Sequence, residues 1–239
     1  MRASLTDAEQ AHAASVRRMF GRIAGRYVLM NSLMTFGRDR VWRRLVVRAA
    51  ALPRGGKLLD IATGPGDIAL EALRADPTLA AVGADFSLAM MRAGQARPNG
   101  ALIRWCGADT LALPFPGETF DAVTSGFLIR NLPAGCVVEA FVEQARVLKP
   151  GGRVVCLDTS PPPDNALRPL VNFHFQRVIP ALGALVSGHR DAYTYLPDTT
   201  VAFKTPDELA ALMCQAGLRD VTYRRLMLGT VALHVGSRA

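Results

Sequence analysis

The sequence contains few cysteines and no metal-binding pattern. Its four cysteines, Cys106, Cys136, Cys156 and Cys214, include no C-x-x-C pair, which argues against zinc sites and dithiol redox sites. Three of them lie in apolar runs, so we interpret them as reduced and mostly buried thiols of a cytoplasmic protein. Paired carboxylates, metal-ligand clusters and nucleophile elbows are also missing. The sequence therefore gives little support to a hydrolase or a metalloenzyme, and we expect no metal site.

Long hydrophobic runs are missing as well. The longest apolar stretch, from Val178 to Val186, is about half as long as a bilayer crossing requires. The first sixteen residues contain charged side chains and no apolar run. We therefore expect neither a signal peptide nor a membrane-spanning helix.

The net charge of +8 is concentrated in the first quarter of the chain. Residues 1–57 contain twelve basic and three acidic side chains, whereas the remainder contains sixteen basic and seventeen acidic ones. Such a cluster favours an anionic partner, and each basic residue near an anionic bilayer contributes ~1 kcal/mol to binding. Few aromatic residues accompany these arginines, which argues against nucleic acid. A membrane surface stays open as a partner, and the alternative is a solvated, arginine-rich helix pair.

Strand and helix patterns alternate through the middle of the chain, which predicts an α/β fold with a doubly wound parallel sheet. The predicted strands are 57–61, 80–85, 101–106, 120–125 and 153–158, and the predicted helices among them are 67–75, 87–96 and 134–148. Two helices precede this core, at about 7–27 and 40–51, with residues 27–31 in the loop between them. A helix near 205–216 and two strands, about 220–225 and 230–235, close the sheet, and we expect the last strand to be antiparallel.

Half of the 239 residues are hydrophobic, which is enough for the core of one large domain. Three consecutive prolines, from Pro161 to Pro163, break the chain before a helical stretch at 165–186 that is apolar on more than one face. We therefore divide the domain into basic N-terminal helices (1–55), a cofactor-binding core (56–160), a helical cap over a hydrophobic pocket (161–204) and a closing segment (205–239).

The most informative segment is a glycine turn between a strand and a helix. A hydrophobic run ends on Asp60, the turn Gly64-Pro65-Gly66 follows, and a helical pattern begins at Asp67. Glycine permits a sharp turn and the close approach of a ligand. The spacing also fits the G-x-G-x-x-A fingerprint of dinucleotide-binding folds, so an NAD-dependent reductase stays an alternative, one that would normally continue with a parallel sixth strand.

Two acidic residues favour S-adenosylmethionine over a dinucleotide in this turn. Asp67 at the start of the helix would repel a pyrophosphate, whereas a sulfonium zwitterion would be tolerated. Asp60 is placed to meet the amino group of a methionine moiety. Asp85 ends the next hydrophobic run, where it could accept hydrogen bonds from the ribose of either cofactor.

Further motifs resemble known methyltransferases. The segments Ala108-Asp109-Thr110, Phe120-Asp121-Ala122-Val123 and Leu148-Lys149-Pro150-Gly151-Gly152 are similar to those of class I S-adenosylmethionine-dependent methyltransferases. More specific elements resemble the quinone C-methyltransferases of ubiquinone and menaquinone synthesis: Tyr27-Val28-Leu29-Met30-Asn31, Arg130-Asn131, Tyr193-Thr194-Tyr195-Leu196-Pro197 and Ala232-Leu233-His234-Val235-Gly236. The resemblance extends over nearly the whole chain, from about Val16 to Arg238.

The resemblance implies a seven-stranded class I methyltransferase sheet and methyl transfer to a ring carbon of a polyprenylated quinol. The substrate would be demethylmenaquinol or the 2-polyprenyl-6-methoxy-1,4-benzoquinol of ubiquinone synthesis. Val28 replaces an acid of the family motif, and Leu128-Ile129 replaces Gly-Leu, so the quinone stays open. The alternatives are a methyltransferase for another phenol, polyketide or lipid, and a non-catalytic scaffold subunit of quinone biosynthesis that binds S-adenosylmethionine. A homodimer and a position at the inner face of the cell membrane also stay open.

The residues that the resemblance assigns to the cofactor surround the glycine turn. Besides Asp60, the cofactor-binding candidates are Gly64, Pro65, Gly66, Asp85, Asp109, Thr110 and Gly126, with Asp85 on the ribose and Asp109 on the adenine amino group.

The catalytic candidates are less clear. Arg130 is the candidate for the positive group that stabilises a phenolate, and its alternative is a structural ion pair with Asp109 or Asp121. Asn131 is a candidate to orient a water or the quinol oxygen, and Tyr27 to close over the substrate. His174 is a candidate proton acceptor by its ordinary pKa, as is His234, for which a structural role is an equal alternative. A bound water is a further candidate for the base.

Overall fold

Strands and helices alternate through the core of the computed structural model, which describes residues 6–162, 164, 168–182 and 203–239. The strands are β1 (Lys57–Ile61), β2 (Ala80–Asp85), β3 (Arg104–Gly107), β4 (Phe120–Gly126), β5 (Leu148–Thr159), β6 (Arg219–Leu226) and β7 (Val231–Ser237). The helices are α1 (Asp7–Ile23), α2 (Tyr27–Met34), α3 (Asp39–Ala50), α4 (Asp67–Ala75), α5 (Leu88–Gln95), α6 (Val137–Val147), α7 (Arg168–Phe173), α8 (Ile179–Leu182) and α9 (Pro206–Gln215), with a π-helical turn, His174–Val178, between α7 and α8.

The seven strands form one sheet in the order β3-β2-β1-β4-β5-β7-β6. The first five strands of the chain are parallel, whereas β7 runs antiparallel between β5 and β6. This confirms the predicted doubly wound sheet and its antiparallel close. Because the strand order reverses between β1 and β4, a crevice opens at the carboxyl ends of these two strands.

Helices cover both faces of the sheet. On one face, α3 and α4 bury Trp42, Val46 and Ala72 against β1, β4 and β5. On the other face, α6 and α9 bury Phe141 and Met213. Both layers fix the positions of the carboxyl ends of β1, β4 and β5, where the crevice lies.

A third apolar cluster lies over the crevice and joins the N-terminal helices to the cap. The buried side chains Ile23, Met30, Met34, Val171 and Ile179 pack together from α1, α2, α7 and α8. The predicted helical stretch at 165–186 is therefore helical over 168–182, while residues 163, 165–167 and 183–202 of the predicted cap lie outside the described residues. Among the helices that the structure describes, none has the length and apolar character that a membrane crossing needs.

Several predicted boundaries are wrong. The fifth strand begins at Leu148 rather than at residue 153, and the first helix ends at Ile23 rather than at residue 27. Residues 27–31 form the first part of α2 rather than a loop, because Met30 and Met34, one helical turn apart, bury themselves against α7 and α8. The third strand begins at Arg104 rather than at residue 101, since residues Gly100–Leu102 form a 3-10 turn. The indole of Trp105 holds this turn by donating to the Gly100 carbonyl over 2.9 Å.

Candidate active site

The turn between β1 and α4 requires its glycines. Gly64 and Gly66 have φ of +55° and +81°, in the left-handed region that L side chains rarely adopt. A Cβ on Gly66 would also lie 2.7 Å from the Trp105 ring, which is closer than real Cβ contacts. The backbone therefore passes close to α5 and β3 here and leaves the crevice side open.

Two buried carboxylates flank this turn. Asp60 accepts hydrogen bonds from the hydroxyls of Thr63 and Thr124 over 2.6 and 2.7 Å, while burial raises the pKa of Asp60 to about 7. Asp85 accepts from the backbone N–H groups of Gly64 and Ser87 over 2.7 and 2.8 Å, and burial raises its pKa too. Asp85 thus holds the turn in place at the tip of β2.

A cavity of about 370 Å³ lies beside the turn and has the size of a small-molecule site. We call it the larger cavity. Its lining includes five of the eight residues predicted to bind the cofactor: Gly64, Asp85, Asp109, Thr110 and Gly126. The Thr110 hydroxyl is buried without a hydrogen-bond partner in the described part of the chain, as expected where a ligand supplies the partner. The residues of this cavity therefore fit an adenosyl group.

The remaining predicted cofactor residues lie elsewhere. Asp60 and Pro65 line a second cavity of about 130 Å³, which we call the smaller cavity. Gly66 lies on the side of the turn that faces Trp105 and Ile103. The direct contact of Asp60 with a methionine amino group stays a prediction.

The smaller cavity is mainly apolar and is closed by the N-terminal helices and the cap. Its apolar lining includes Phe20, Ile23, Met34, Trp42, Phe127, Leu157, Ile179, Met227 and Val231. Tyr27 and Phe127 line both cavities, so the two spaces adjoin at these rings. The two cavities therefore share part of their walls.

Arg130 lies at the smaller cavity with an incompletely paired guanidinium. Its side chain is only 8% exposed, and its Nε lies 3.8 Å from Asp158 Oδ1. Within the described residues, neither Nε nor Nη1 has a hydrogen-bond partner. The guanidinium also lies over the Phe127 ring, 5.4 Å from its centroid. Because a buried, unpaired charge costs several kcal/mol, this group is poised for an oxygen ligand in the cavity.

The carboxylate that faces Arg130 is Asp158, not Asp109 or Asp121, the two alternatives that the sequence left open. Asp158 Oδ2 accepts from the backbone N–H of Arg130. Burial raises the pKa of Asp158 to about 6, and the Arg130 charge opposes this rise. Asp121 instead accepts from Lys149 Nζ over 2.7 Å. Asp158 is the next-to-last residue of β5, whereas Asp85 is the last residue of β2, so its position near a strand end was a signal that sequence reasoning missed.

Asn131 contacts the backbone beside Arg130. Its side-chain amide donates to the Phe127 carbonyl over 2.7 Å, and the residue lines the larger cavity. Its predicted contact with the quinol oxygen stays a prediction, whereas its hydrogen bond to Phe127 indicates a positioning role.

The other catalytic candidates differ in their positions. Burial raises the pKa of the Tyr27 hydroxyl, while a hydrogen bond from Asn31 and the charge of Arg130 lower it; the net shift keeps the hydroxyl protonated at neutral pH. His174 lines the smaller cavity, and its Nε2 donates to the Met34 carbonyl over 3.1 Å. Its role as the proton acceptor stays a prediction.

His234 has the structural role that the sequence left as an alternative. It is buried, its Nε2 donates to the Pro206 carbonyl over 2.9 Å, and burial lowers its pKa. It lines neither cavity. The Tyr193–Pro197 motif lies outside the described residues.

Two arginines that sequence reasoning missed compensate the charge of Asp67. Arg43 Nη2 lies 2.9 Å from Asp67 and 2.8 Å from Asp39. Arg97 Nη1 donates to Asp67 and to the Pro65 carbonyl over 2.7 and 2.8 Å. The argument that Asp67 repels a pyrophosphate therefore loses its force, because the carboxylate is neutralised from two sides. The discrimination between cofactors depends instead on the antiparallel β7 and on the relatives of the chain.

Comparison with known proteins gives concordant matches. The model of the ubiE/COQ5 methyltransferase family matches residues 6–238. The chain is 47% identical over 221 residues to the ubiquinone/menaquinone biosynthesis C-methyltransferase UbiE of Desulfotalea psychrophila, covering 92% of this chain and 89% of that protein. It is 45% identical over 228 residues to the demethylmenaquinone methyltransferase of Roseiflexus castenholzii, covering 94% and 93%.

Solved structures share the fold at much lower identity. A S-adenosylmethionine-dependent methyltransferase from Thermotoga maritima, described as a possible histamine N-methyltransferase, superposes with a TM-score of 0.64 at 16% identity. The match covers 93% of this chain and 99% of that one. This likeness concerns the fold alone.

Proposed function

The chain belongs to the ubiE/COQ5 methyltransferase family, and on this basis we propose that it methylates a ring carbon of a polyprenylated quinol. It is an S-adenosylmethionine-dependent methyltransferase. Relatives named for demethylmenaquinone and for ubiquinone/menaquinone synthesis make demethylmenaquinol and the methoxybenzoquinol precursor of ubiquinone the two candidate substrates. The observation that carries the proposal is the buried, incompletely paired Arg130 guanidinium in an apolar cavity that adjoins the larger one.

The larger cavity would hold the methyl donor. Gly64, Asp85, Asp109 and Thr110 all line this cavity. In the proposal, the Gly64 turn would accommodate the methionine part, Asp85 would bind the ribose, and Asp109 and Thr110 would bind the adenine. When bound, S-adenosylmethionine supplies an electrophilic methyl group on a sulfonium. The protein then has to align that group with a ring carbon and exclude water, and alignment of this kind can supply ~7–11 kcal/mol.

The smaller cavity would hold the quinol ring. A quinol ring carbon becomes a strong nucleophile when the adjacent hydroxyl loses its proton. Ionising a phenol of pKa near 10 at pH 7 costs roughly 4 kcal/mol, and a positive group ~4 Å away returns about that much at an effective dielectric constant near 20. Arg130 is placed to supply this charge, because its Nε and Nη1 donate no hydrogen bond to any residue that the structure describes.

The surroundings of Arg130 keep its charge available to the substrate. Asp158 approaches Nε only to 3.8 Å and shares its oxygens with the backbone N–H groups of Arg130 and Thr159. Phe127 supports the guanidinium from below without consuming a donor. A phenolate oxygen can therefore make the short, charge-assisted hydrogen bonds that the protein does not provide.

As the methyl group replaces a ring hydrogen, the quinol would lose its hydroxyl proton before the transfer and the proton of the methylated ring carbon after it. The oxygen would then regain a proton, so one proton in total needs an acceptor. His174 is the candidate for this acceptor, because it lines the smaller cavity and its Nε2 is held by the Met34 carbonyl, and a bound water is the alternative. Tyr27, at the boundary of the two cavities, stays protonated and can donate a hydrogen bond to the ring oxygen.

Two alternatives are separated by simple observations. A nicotinamide-dependent reductase would normally continue with a parallel sixth strand, whereas β7 is antiparallel to β5. A non-catalytic scaffold would bind S-adenosylhomocysteine without transferring a methyl group.

The direct experiment uses S-adenosylmethionine labelled in the methyl group. It is incubated with the purified protein and, in separate reactions, demethylmenaquinol, the methoxybenzoquinol and a simple catechol as a non-quinol phenol. The proposal predicts label in at least one of the two quinols and none in the catechol. Label in the catechol alone would favour a different phenolic substrate, and no label with intact cofactor binding would favour the scaffold.

A further inference from the structure

Large apolar side chains are exposed on the outer side of the helices that close the smaller cavity. Leu29 and Leu33, one helical turn apart on α2, are 53% and 37% exposed, and Phe36 beyond them is 71% exposed. Leu170 and Phe173 on α7 are 60% and 59% exposed. We call these five residues the apolar patch. Single exposed apolar residues are ordinary, but a group of this kind marks an interaction surface.

The two halves of the patch belong to one surface. The Phe36 ring lies against the His174 ring, 5.3 Å between centroids, and His174 directly follows Phe173 in the chain. His174 is also tied to α2 through its hydrogen bond to the Met34 carbonyl. The opposite sides of the same helices are buried in the cluster of Met30, Met34, Val171 and Ile179. The outward side chains are thus fixed by packing on their inner side.

The charge around the patch is mainly positive. Exposed arginines flank it along the chain, namely Arg38, Arg40 and Arg177, while Arg168 at the start of α7 is paired with the exposed Asp164. Within residues 22–44 and 168–182 of the described chain, the one acidic residue is Asp39, which is buried and paired with Arg43. The surface therefore combines apolar side chains with positive charge and has no exposed carboxylate in these segments. This combination is typical of protein surfaces that lie in the interface of an anionic bilayer.

The patch lies on the other side of the residues that line the smaller cavity. Tyr27, Met34, His174 and Ile179 line that cavity from α2, the π-helical turn and α8. The polyprenyl tail of the proposed substrate lies in the bilayer. The quinol ring attached to this tail therefore moves the shortest distance to the smaller cavity when α2 and α7 touch the membrane.

We propose that the apolar patch inserts into the headgroup–acyl boundary of an anionic bilayer, with the flanking arginines on the lipid phosphates. The proposal rests on the proposed function in one respect, since the quinol substrate explains why the patch borders the smaller cavity. The site of contact differs from the arginine-rich α1, of which Val16 and Arg17 line the larger cavity.

The test is co-sedimentation of the protein with vesicles of phosphatidylglycerol and phosphatidylcholine, and with vesicles of phosphatidylcholine alone. The test variant is Leu29→Ser with Leu33→Ser. The matched control is Leu102→Ser with Val142→Ser, two exposed apolar residues on the 3-10 turn before β3 and on α6. Circular dichroism melting and methylation of a water-soluble quinol with one isoprene unit establish that each variant is folded.

We expect wild type and control to bind the anionic vesicles, at least tenfold more tightly than the neutral ones. The test variant should lose at least about tenfold in affinity and lose turnover of a long-chain quinol in vesicles, while keeping turnover of the soluble quinol. Equal vesicle binding by wild type and test variant, equal binding to both lipid mixtures, or an equal loss in the control would each overturn the proposal. Failure of wild type to methylate the soluble quinol would instead count against the proposed function.

Discussion

The side-chain amide of Asn131 donates to the main-chain carbonyl of Phe127 over 2.7 Å. Phe127 has φ of +59°, an unusual conformation for an aromatic residue that costs of order 1–3 kcal/mol. Its N–H is fixed as well, by donation to the Leu157 carbonyl over 2.7 Å. The strained backbone directs the Phe127 ring beneath Arg130 and between the two cavities, so Asn131 acts on the site through Phe127.

Replacing Asn131 by Ala should lower kcat about fivefold, because one hydrogen bond of about 1 kcal/mol that holds Phe127 is lost. The KM for the quinol should stay within twofold if Asn131 only positions the ring. The pair Asn131→Ala and Phe127→Leu should be non-additive in kcat, since both act through the same ring. A large rise in KM with additive effects would show instead that Asn131 binds the quinol oxygen directly.

Gly66→Ala should abolish binding of S-adenosylhomocysteine, as measured by calorimetric titration. Two effects combine, the left-handed φ of +81° and a Cβ 2.7 Å from the Trp105 ring. Gly151→Ala is the matched control, because Gly151 has φ of +76° but open space around its Cβ. The control should lose about 1 kcal/mol of stability and bind normally. Equal binding by the two variants would mean that the turn does not shape the cofactor site.

Asp60→Asn should change how stability depends on pH. The pKa of Asp60 is about 7 in the folded protein and about 3.9 in the unfolded chain. Between these values the folded state holds the proton and the unfolded state does not, so the stability that Asp60 contributes falls as pH rises toward 7. Asparagine removes this dependence. The free energy of unfolding of each protein is measured with urea. From pH 5 to 7, the value for the variant should rise relative to that of wild type by roughly 1 kcal/mol per pH unit.

A surface carboxylate provides the control for that experiment. Glu139→Gln, on the exposed face of α6, makes the same change from carboxyl to amide without burial. A stability difference for Asp60→Asn that follows the same pH course as this control would contradict the raised pKa of Asp60.

Thr159→Val tests whether the substrate supplies a missing hydrogen bond. Thr159 lines the smaller cavity, and its buried hydroxyl has no hydrogen-bond partner within the described residues. Valine should therefore leave stability within about 0.5 kcal/mol but raise the KM for the quinol about fivefold, because a neutral hydrogen bond contributes about 1 kcal/mol.

Thr230→Val gives the contrast for this prediction. Thr230 lines the same cavity, but its hydroxyl already donates to the Met227 carbonyl over 2.8 Å. This variant should lose stability and keep its KM. If Thr159→Val is the less stable of the two, the hydroxyl of Thr159 has a protein partner and no substrate role.

The parts of the fold with local signals were predicted residue by residue. The bounds of β1, α4 and β2 match the predictions, because each element is an apolar run ended by a turn residue or a carboxylate. The start of α9 was equally clear, and Thr205 and Glu208 form the hydrogen bonds of a capping box there. By contrast, α2 was missed because its helical face is stabilised by Val171 and Ile179, which lie far along the chain.

The site residues also divide into those with a local sequence signal and those that depend on distant parts of the chain. The cofactor-binding residues follow strand ends and a glycine turn, and five of them line one cavity. The partners of Arg130 and Asp67 could not be predicted in this way, since Asp158, Arg43 and Arg97 reach them from other elements of the chain. Which charges meet across a crevice depends on packing, which a motif does not encode.

The most direct test of the account is the rate of labelled methyl transfer to the quinol by Arg130→Met, with Arg104→Met on the exposed edge strand β3 as control. If Arg130 stabilises the phenolate by up to about 4 kcal/mol, kcat should fall about 10²- to 10³-fold, and part of it should return as pH approaches the pKa of the quinol. Binding of S-adenosylhomocysteine and the control variant should be unaffected. Full activity of Arg130→Met, or an equal loss at every pH, would contradict the account.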